Sequence, residues 1–380
     1  MPRIALFISI YLLVYGGLHL YLYRRLRRAF ALSRGERRAV LALLLLMVCG
    51  PLLSRGLEGL GWPGLTQLVA VLVYSWMGWL FLAASLFFLI DLLRLVGWLL
   101  QRVAYLTLPV MPWRPLFVVV VMLSVAASLY GTYAAREIRV ERVVLPTSKL
   151  PVGIERYRLV QLSDVHLGVM SRAAWVQRMV TVVNDLQPDL IVTTGDIIDS
   201  NISSALPFQR QLAMLQAPDG KYSVAGNHEF FAGIDKAVVY MRGAGFVMLR
   251  GERAEVRPWL QLLGVDDREG LQIGGAQMDR EPSLMATSDP AAITILLKHQ
   301  PVVRQDSIGR FDLELAGHVH QGQIFPFRLL TWLVYPIAMG LSDLGQGSQI
   351  YVTRGVGTWG PSMRLLAPPE ITVLEFVRKG

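Results

Sequence analysis

The sequence predicts two fold classes in one chain: an all-α, lipid-embedded front of about four helices, followed by an α/β domain. Three observations predict this. Hydrophobic residues make up 53% of the 380 positions and charged residues 17%, with a mean hydropathy of +0.43, whereas soluble domains carry about 25% charge. The long uncharged runs are confined to residues 1–135. Beyond residue 156, short apolar runs of strand type alternate with helical periods, the pattern of an α/β core. Such apolar content excludes disorder as the main state. The single cysteine, Cys49, excludes a disulfide scaffold.

The front is read from its uncharged runs. Residues 4–23, 59–90 and 115–135 each reach the roughly 20 residues a helix needs to cross about 30 Å of hydrocarbon. Residues 39–54 are shorter and contain Gly50 and Pro51, so a short span and a re-entrant piece both stay open. Counting that run gives four spans, and leaving it out gives three. Seven arginines fall within residues 24–38, and cytoplasmic loops collect basic residues. With this loop inside, four spans place everything after residue 135 outside the cytoplasm, as expected for a multi-pass protein of a bacterial inner membrane. Three spans place it inside. The connection from Asp91 to Arg114 is expected to be a further inside loop, and His19 a packing residue.

The net charge of +9 does not indicate nucleic acid. Residues 1–150 hold 16 basic and 5 acidic residues, and the remainder 21 and 23. The excess therefore belongs to the membrane half, where orientation explains it.

Residues 136–156 are charged and contain proline, and read as a linker between the front (1–135) and the domain (157–380). In that domain, strands are expected at 157–162, 189–194, 222–225, 260–263, 293–297, 313–316, 350–353 and 371–376, with helices at 173–186 and 208–215.

Histidine placement is the most informative feature. Of six histidines, five follow an expected strand within a few residues: His166, His228, His299, His318 and His320. Ligands of open α/β sheets bind beyond the carboxyl ends of strands. Asp164 and His166 share one strand end, Asp196 stands at a second, and Asn227 precedes His228 at a third. A lone strand-end histidine is more often structural; the ordered set is what argues for a site. Mixed His, Asp and Asn ligands suit Mn, Fe or Zn better than Ca. They are too many for one tetrahedral ion and about enough for two.

The motifs S-D-V-H-L-G at 163–168, T-G-D at 194–196, G-N-H-E at 226–229, K-H at 298–299 and G-H-V-H at 317–320 resemble those of the calcineurin-like metallophosphoesterase family. The motifs L-G-V-D-D at 263–267, Q-I-F-P at 323–326 and G-V-G-T-W-G at 355–360 are similar to its bacterial membrane-anchored branch. The resemblance covers about residues 155–378 and not the front. It implies a four-layer α-β-β-α sandwich and metal-dependent hydrolysis of a phosphodiester or phosphomonoester by a metal-bridging hydroxide. By motif, Asp164, His166 and His320 would hold one divalent ion, and Asn227, His299 and His318 the other, with Asp196 bridging. His228 would be catalytic, donating to the phosphoryl or leaving oxygen, with Asp199 and Glu229 behind the ligands. One departure is Gln321, where this branch usually has glycine; access to the site is the property it touches.

The G-x-G-x-x-G at 355–360 fails as a dinucleotide site, because Pro361 follows and 20 residues leave no room for a βαβ unit. A turn lining the metal site is the better reading. A transporter would need more polar groups within the spans than His19 and Asp91. The alternative function is a non-catalytic membrane receptor or scaffold built on a metal-loaded domain, although every ligand position is retained. The expected partners are a phosphoester substrate, with a lipid-linked or cell-envelope one as a hypothesis, and the lipid bilayer. No nucleic acid and no obligate protein partner is inferred. The apolar stretch 329–339 contains Trp332 and Tyr335 and no charge. Two readings of it stay open, an element dipping into the bilayer interface and a loop covering the core.

Overall fold

The computed structural model describes residues 2–104, 111–273 and 280–379. The chain divides into two compact units: Met1–Tyr133 with Gly360–Met363, and Ala134–Trp359 with Arg364–Gly380.

In the first unit, residues 2–29 are helical throughout, but a π-helical turn at Leu12–Gly16 separates Pro2–Tyr11 from Gly17–Ala29. Three further helices follow, Arg34–Gly59, Pro63–Ala104 and Trp113–Ala134, and these three are long and apolar enough to cross a membrane. Three helices therefore meet the requirements of a span where about four were expected, and residues 4–23, expected as the first span, lie in a helical stretch broken by the π-turn. The doubtful 16-residue run is part of the 26-residue helix Arg34–Gly59. That helix starts at a reciprocal cap, Ser33 Oγ accepting from Glu36 N at 3.3 Å and Glu36 Oε2 from Ser33 N at 2.7 Å.

The expected inside loop from Asp91 to Arg114 is corrected, since the helix runs on to Ala104. A charge ends an apolar run without ending a helix; the leucine-rich spacing between Asp91, Arg94 and Arg102 keeps helix propensity high. Asp91 accepts from Tyr21 at 2.7 Å and pairs with Arg25. His19 is a packing residue, bonded to Tyr15 O at 2.8 Å and to Trp76 Nε1 at 2.9 Å.

The second unit holds twelve strands among the described residues: β1 Arg139–Thr147, β2 Arg156–Leu162, β3 Leu190–Thr194, β4 Lys221–Val224, β5 Val247–Met248, β6 Glu252–Arg257, β7 Leu260–Gly264, β8 Ile293–Leu297, β9 Leu313–Ala316, β10 Gly340–Gly345, β11 Ser348–Val352 and β12 Glu370–Arg378. They form two six-stranded sheets, ordered β1-β12-β2-β3-β4-β5 and β10-β11-β9-β8-β7-β6. Strands β2, β3 and β4 run parallel, as do β7, β8 and β9.

Side chains alternate across a strand, so each sheet serves two cores. Leu159, Leu190 and Val192 of the first sheet pack with Leu262, Ile295 and Leu315 of the second, forming the layer between the sheets. Val160, Leu162 and Ile191 point the other way, onto Val176, Met179, Val180 and Val183 of the helix Ala173–Asp185. Leu263 and Leu296 pack on Leu284 and Met285 of the helix Glu281–Ala286. The result is the expected α-β-β-α order.

All eight expected strands form. The four that sequence reading missed, β1, β5, β6 and β10, are the four sheet edges. The stretch 136–156, expected as a linker, therefore contains β1, paired parallel to β12 from Arg139↔Glu370 to Thr147↔Arg378. An edge strand has one neighbour and tolerates charge and proline, so β1 keeps Arg139, Glu141, Arg142 and Pro146 and reads as loop.

Candidate metal centre

Five loops deliver the site, each leaving the carboxyl end of a parallel strand. β2 is followed by Asp164 and His166, β3 by Asp196, β4 by Asn227 and His228, β8 by His299, and β9 by His318 and His320. The turns are sharp. Asp164, His166, Asp196, His318 and His320 have φ of +54°, +51°, +53°, +70° and +46°. A non-glycine residue in this left-handed region is disfavoured by roughly 1–2 kcal/mol, and such strain gathers at functional sites. Gln321, at φ +52°, adopts the backbone a glycine takes freely, and its Nε2 lies 2.7 Å from Met339 Sδ. Gly226 is required by proximity, since a Cβ there would overlap Asp196 Oδ1.

All the sequence-predicted site residues converge. His166 Nε2 lies 3.0 Å from His320 Nε2, which lies 3.3 Å from Asp164 Oδ1. His299 Nε2 lies 3.0 Å from Asn227 Oδ1, 3.0 Å from His318 Nδ1 and 3.2 Å from Asp196 Oδ2. The same Asp196 oxygen is 3.9 Å from His166 Nε2 and 4.0 Å from His228 Nε2, so it stands between the two sets. Asp164-His166-His320, His166-Asp196-His228 and Asp196-His299-His318 are each close enough to hold a metal ion.

These donors suit a cation. Two donor atoms about 2.1 Å from one octahedral ion, at right angles, are about 3.0 Å apart. Burial drives His166 and His318 down to about 3, with neighbouring cationic imidazoles adding to it. Burial, then the Arg364 charge, holds His320 well below the usual histidine range. Neutral imidazole is the form that ligates. Asp164 is pushed up to about 6 by burial and by the Asp196 charge, against His299. Burial also penalises Asp196 and His299, but their ion pair prevails and holds Asp196 well below, and His299 well above, its ordinary value.

Behind the donors lie groups that aim them. Asp164 accepts from Ser163 Oγ at 2.5 Å and from His318 N at 3.0 Å. His299 Nδ1 is bonded to the Thr194 carbonyl at 2.8 Å, which turns Nε2 to the site. Glu229 accepts from the backbone N–H of Gly226 and Asp196 at 2.8 Å, Ile197 at 2.9 Å and Ile198 at 3.0 Å. It ties the Asp196 loop to the Asn227 loop through the backbone, not through ligand side chains. His228 Nδ1 lies 3.1 Å from both the carbonyl and Oδ1 of Asp199. Burial lowers His228, but the charges of Asp196 and Asp199 outweigh it and raise the ring to about 9.

Arg364 escaped sequence reading, and Asp267, although it closes the L-G-V-D-D motif, received no role there. Arg364 is fully buried, bonding the carbonyls of Arg354 at 2.9 Å, Gly357 at 3.0 Å and Gly355 at 3.1 Å, with Nη2 3.1 Å from His320 Nδ1. The glycine turn it clamps bonds back to the first metal loop, Gly357 N to Asp164 O at 2.9 Å, which is the structural use of the G-x-G-x-x-G motif. Asp267 is buried beside Gln300, whose Nε2 it accepts at 3.1 Å, and Gln300 accepts from Tyr335 at 3.0 Å. An isolated arginine in a loop carries no periodic signal.

Comparison with known proteins gives concordant results. A model of the calcineurin-like phosphoesterases matches residues 157–322. A metallophosphoesterase of Aquifex aeolicus is 37% identical over 259 residues, 67% of this chain and 98% of the relative. A transmembrane protein with a metallophosphoesterase domain from Danio rerio is 34% identical over 268 residues, covering 67% of this chain and 61% of that protein. A metallophosphoesterase of Campylobacter jejuni is 30% identical over 263 residues, 69% of each chain.

Proposed function

Because this chain belongs to the calcineurin-like metallophosphoesterases, we propose that it is a membrane-anchored hydrolase of phosphodiesters or phosphomonoesters with two divalent ions at its site. Asp164, His166 and His320 would hold one ion, Asn227, His299 and His318 the other, and Asp196 both. Mn, Fe and Zn are the ions this donor set favours. Bound there, they would supply charge neutralisation at the phosphoryl group and a lowered pKa for water.

The carrying observation is that two donor sets share one buried oxygen, Asp196 Oδ2, at 3.2 Å and 3.9 Å from their nearest imidazoles. Burial lowers the His228 ring, but Asp196 and Asp199 beside it raise it to about 9, which favours its protonated form. With Nδ1 tied to Asp199, its Nε2 faces the donors and can give that proton to a phosphoryl or leaving-group oxygen. The Glu229 and Arg364 contacts hold the loops so that these groups need no rearrangement.

We place the chain in a bacterial inner membrane. The π-interrupted segment 2–29 serves as a fourth span, and the arginine cluster at 24–38 stays inside. The catalytic unit then lies outside the cytoplasm, with a lipid-linked or cell-envelope phosphoester in reach.

The test uses the full chain in detergent, stripped of metal and reloaded with Mn, Zn, Fe or Mg. Hydrolysis of bis(p-nitrophenyl) phosphate and p-nitrophenyl phosphate is measured beside His228→Asn. Metal-dependent turnover that falls at least about 100-fold in the variant supports the reading. A metal-loaded, folded protein inert toward both esters argues for the scaffold instead.

A further inference from the structure

One helix of the catalytic unit has inverted polarity. Phe327–Val334 follows the loop that carries His318 and His320, and its one buried side chain is Thr331. Leu329, Leu330, Trp332, Leu333 and Val334 are between 55% and 72% exposed. A water-facing helix buries its apolar residues and shows its hydroxyls; this one does the reverse. Phe325 and Met339, on either side of it, are exposed as well. The patch adjoins the site, because the Tyr335 ring, one residue beyond the helix, lies 5.6 Å from His318.

Chain connectivity indicates what covers it. Residues 135–138 alone separate the membrane-length helix Trp113–Ala134 from β1. Fully extended, the five Cα steps from residue 134 to residue 139 span at most about 18 Å. A bilayer is therefore always close to the catalytic unit. The helix chemistry suits that medium: tryptophan and leucine for the interface, and the half-buried Arg328 for anionic headgroups.

We propose that Phe327–Val334 inserts into the lipid surface as a second anchor and seats the metal centre at headgroup level. The helix lies in the interface plane, its exposed face about 5–10 Å into the headgroup and acyl boundary. That phosphoesters of lipid headgroups are the substrates follows only if the phosphoesterase reading holds; the insertion itself does not need it.

The test uses the full chain with Cys49→Ser, reconstituted in vesicles of phosphatidylethanolamine and phosphatidylglycerol. A nitroxide is placed on Leu333→Cys or, as the reference, on Lys236→Cys of the helix Ile234–Gly243, an exposed position. Collisions with oxygen and with a water-soluble nickel chelate are compared. Insertion predicts an oxygen-to-nickel ratio at Leu333 about tenfold above the reference. Equal ratios overturn the proposal, and so does a label shielded from both reagents, which would mean that protein, including a second copy, covers the helix. The same samples are assayed on bis(p-nitrophenyl) phosphate. An inserted label without hydrolysis would count against the phosphoesterase reading alone, and hydrolysis with a water-exposed label against insertion alone.

Discussion

The metal cradle and the helix Phe327–Val334 break the ordinary rule of burial in opposite senses. The cradle buries Asp164, Asp196, His166 and His299, groups that water would solvate well. The helix exposes leucine and tryptophan while burying a threonine. A few residues of one loop separate them. A buried polar cluster with converging lone pairs fits a cation, and an exposed apolar helix fits a hydrocarbon surface. In each region the sense of the violation matches the chemistry of the proposed partner.

The largest expected effect comes from removing the oxygen common to both donor sets. Asp196→Asn should lower metal-dependent hydrolysis by at least about 10³-fold, a difference of about 4 kcal/mol in transition-state stabilisation. Elemental analysis should show fewer than two ions retained. Full activity in this variant would remove the cradle from the comparison.

Glu229→Gln comes next. It replaces an acceptor of four backbone N–H groups while leaving every proposed ligand in place. Metal affinity and turnover should each fall by roughly 10–100-fold, read by competition with a chelator and by diester hydrolysis. An unchanged affinity would show that the loops hold themselves.

A buried carboxylate away from the donors sharpens the contrast. Both Glu314 oxygens are buried without a hydrogen-bond partner, and Lys298 Nζ, 3.0 Å from Glu281, lies 3.7 Å from Glu314. Burial raises Glu314 to about 7, with Lys298 opposing. A carboxyl raised on folding favours the folded state below its unfolded value of 4.5, and that contribution is lost as pH rises through about 7. Glu314→Gln should therefore raise stability at pH 8 by up to about 3 kcal/mol, with the gain disappearing below about pH 4.5. Thermal unfolding at both pH values checks it.

The smallest effect is expected at the other region. Leu330→Glu with Leu333→Glu should leave hydrolysis of a soluble diester within about twofold, since neither side chain is buried. A larger loss, measured in detergent, would mean that the helix supports the site directly.

The fold was legible where burial is two-sided. Strands β2, β3, β7 and β8 are short apolar runs because both faces are covered. The sheet edges escaped for the converse reason: β6 reads Glu252-Arg253-Ala254-Glu255-Val256-Arg257, a solvated pattern on the rim of a sheet. In the front, charge does not mark a helix end, and Asp91 shows why: a partner, Arg25, lets it stay within the helix.

The sequence by itself determined the two-part organisation, the central strands and the donors, because apolar periodicity and strand-end ligand motifs are local. Tertiary structure decided what depends on residues far apart in the chain. It joined Arg364 to the His320 ring, gave Glu229 the N–H groups of a loop more than 30 residues earlier, and turned Phe327–Val334 outward. Those contacts follow from where the two sheets bring their loops, and no periodicity along the chain encodes them.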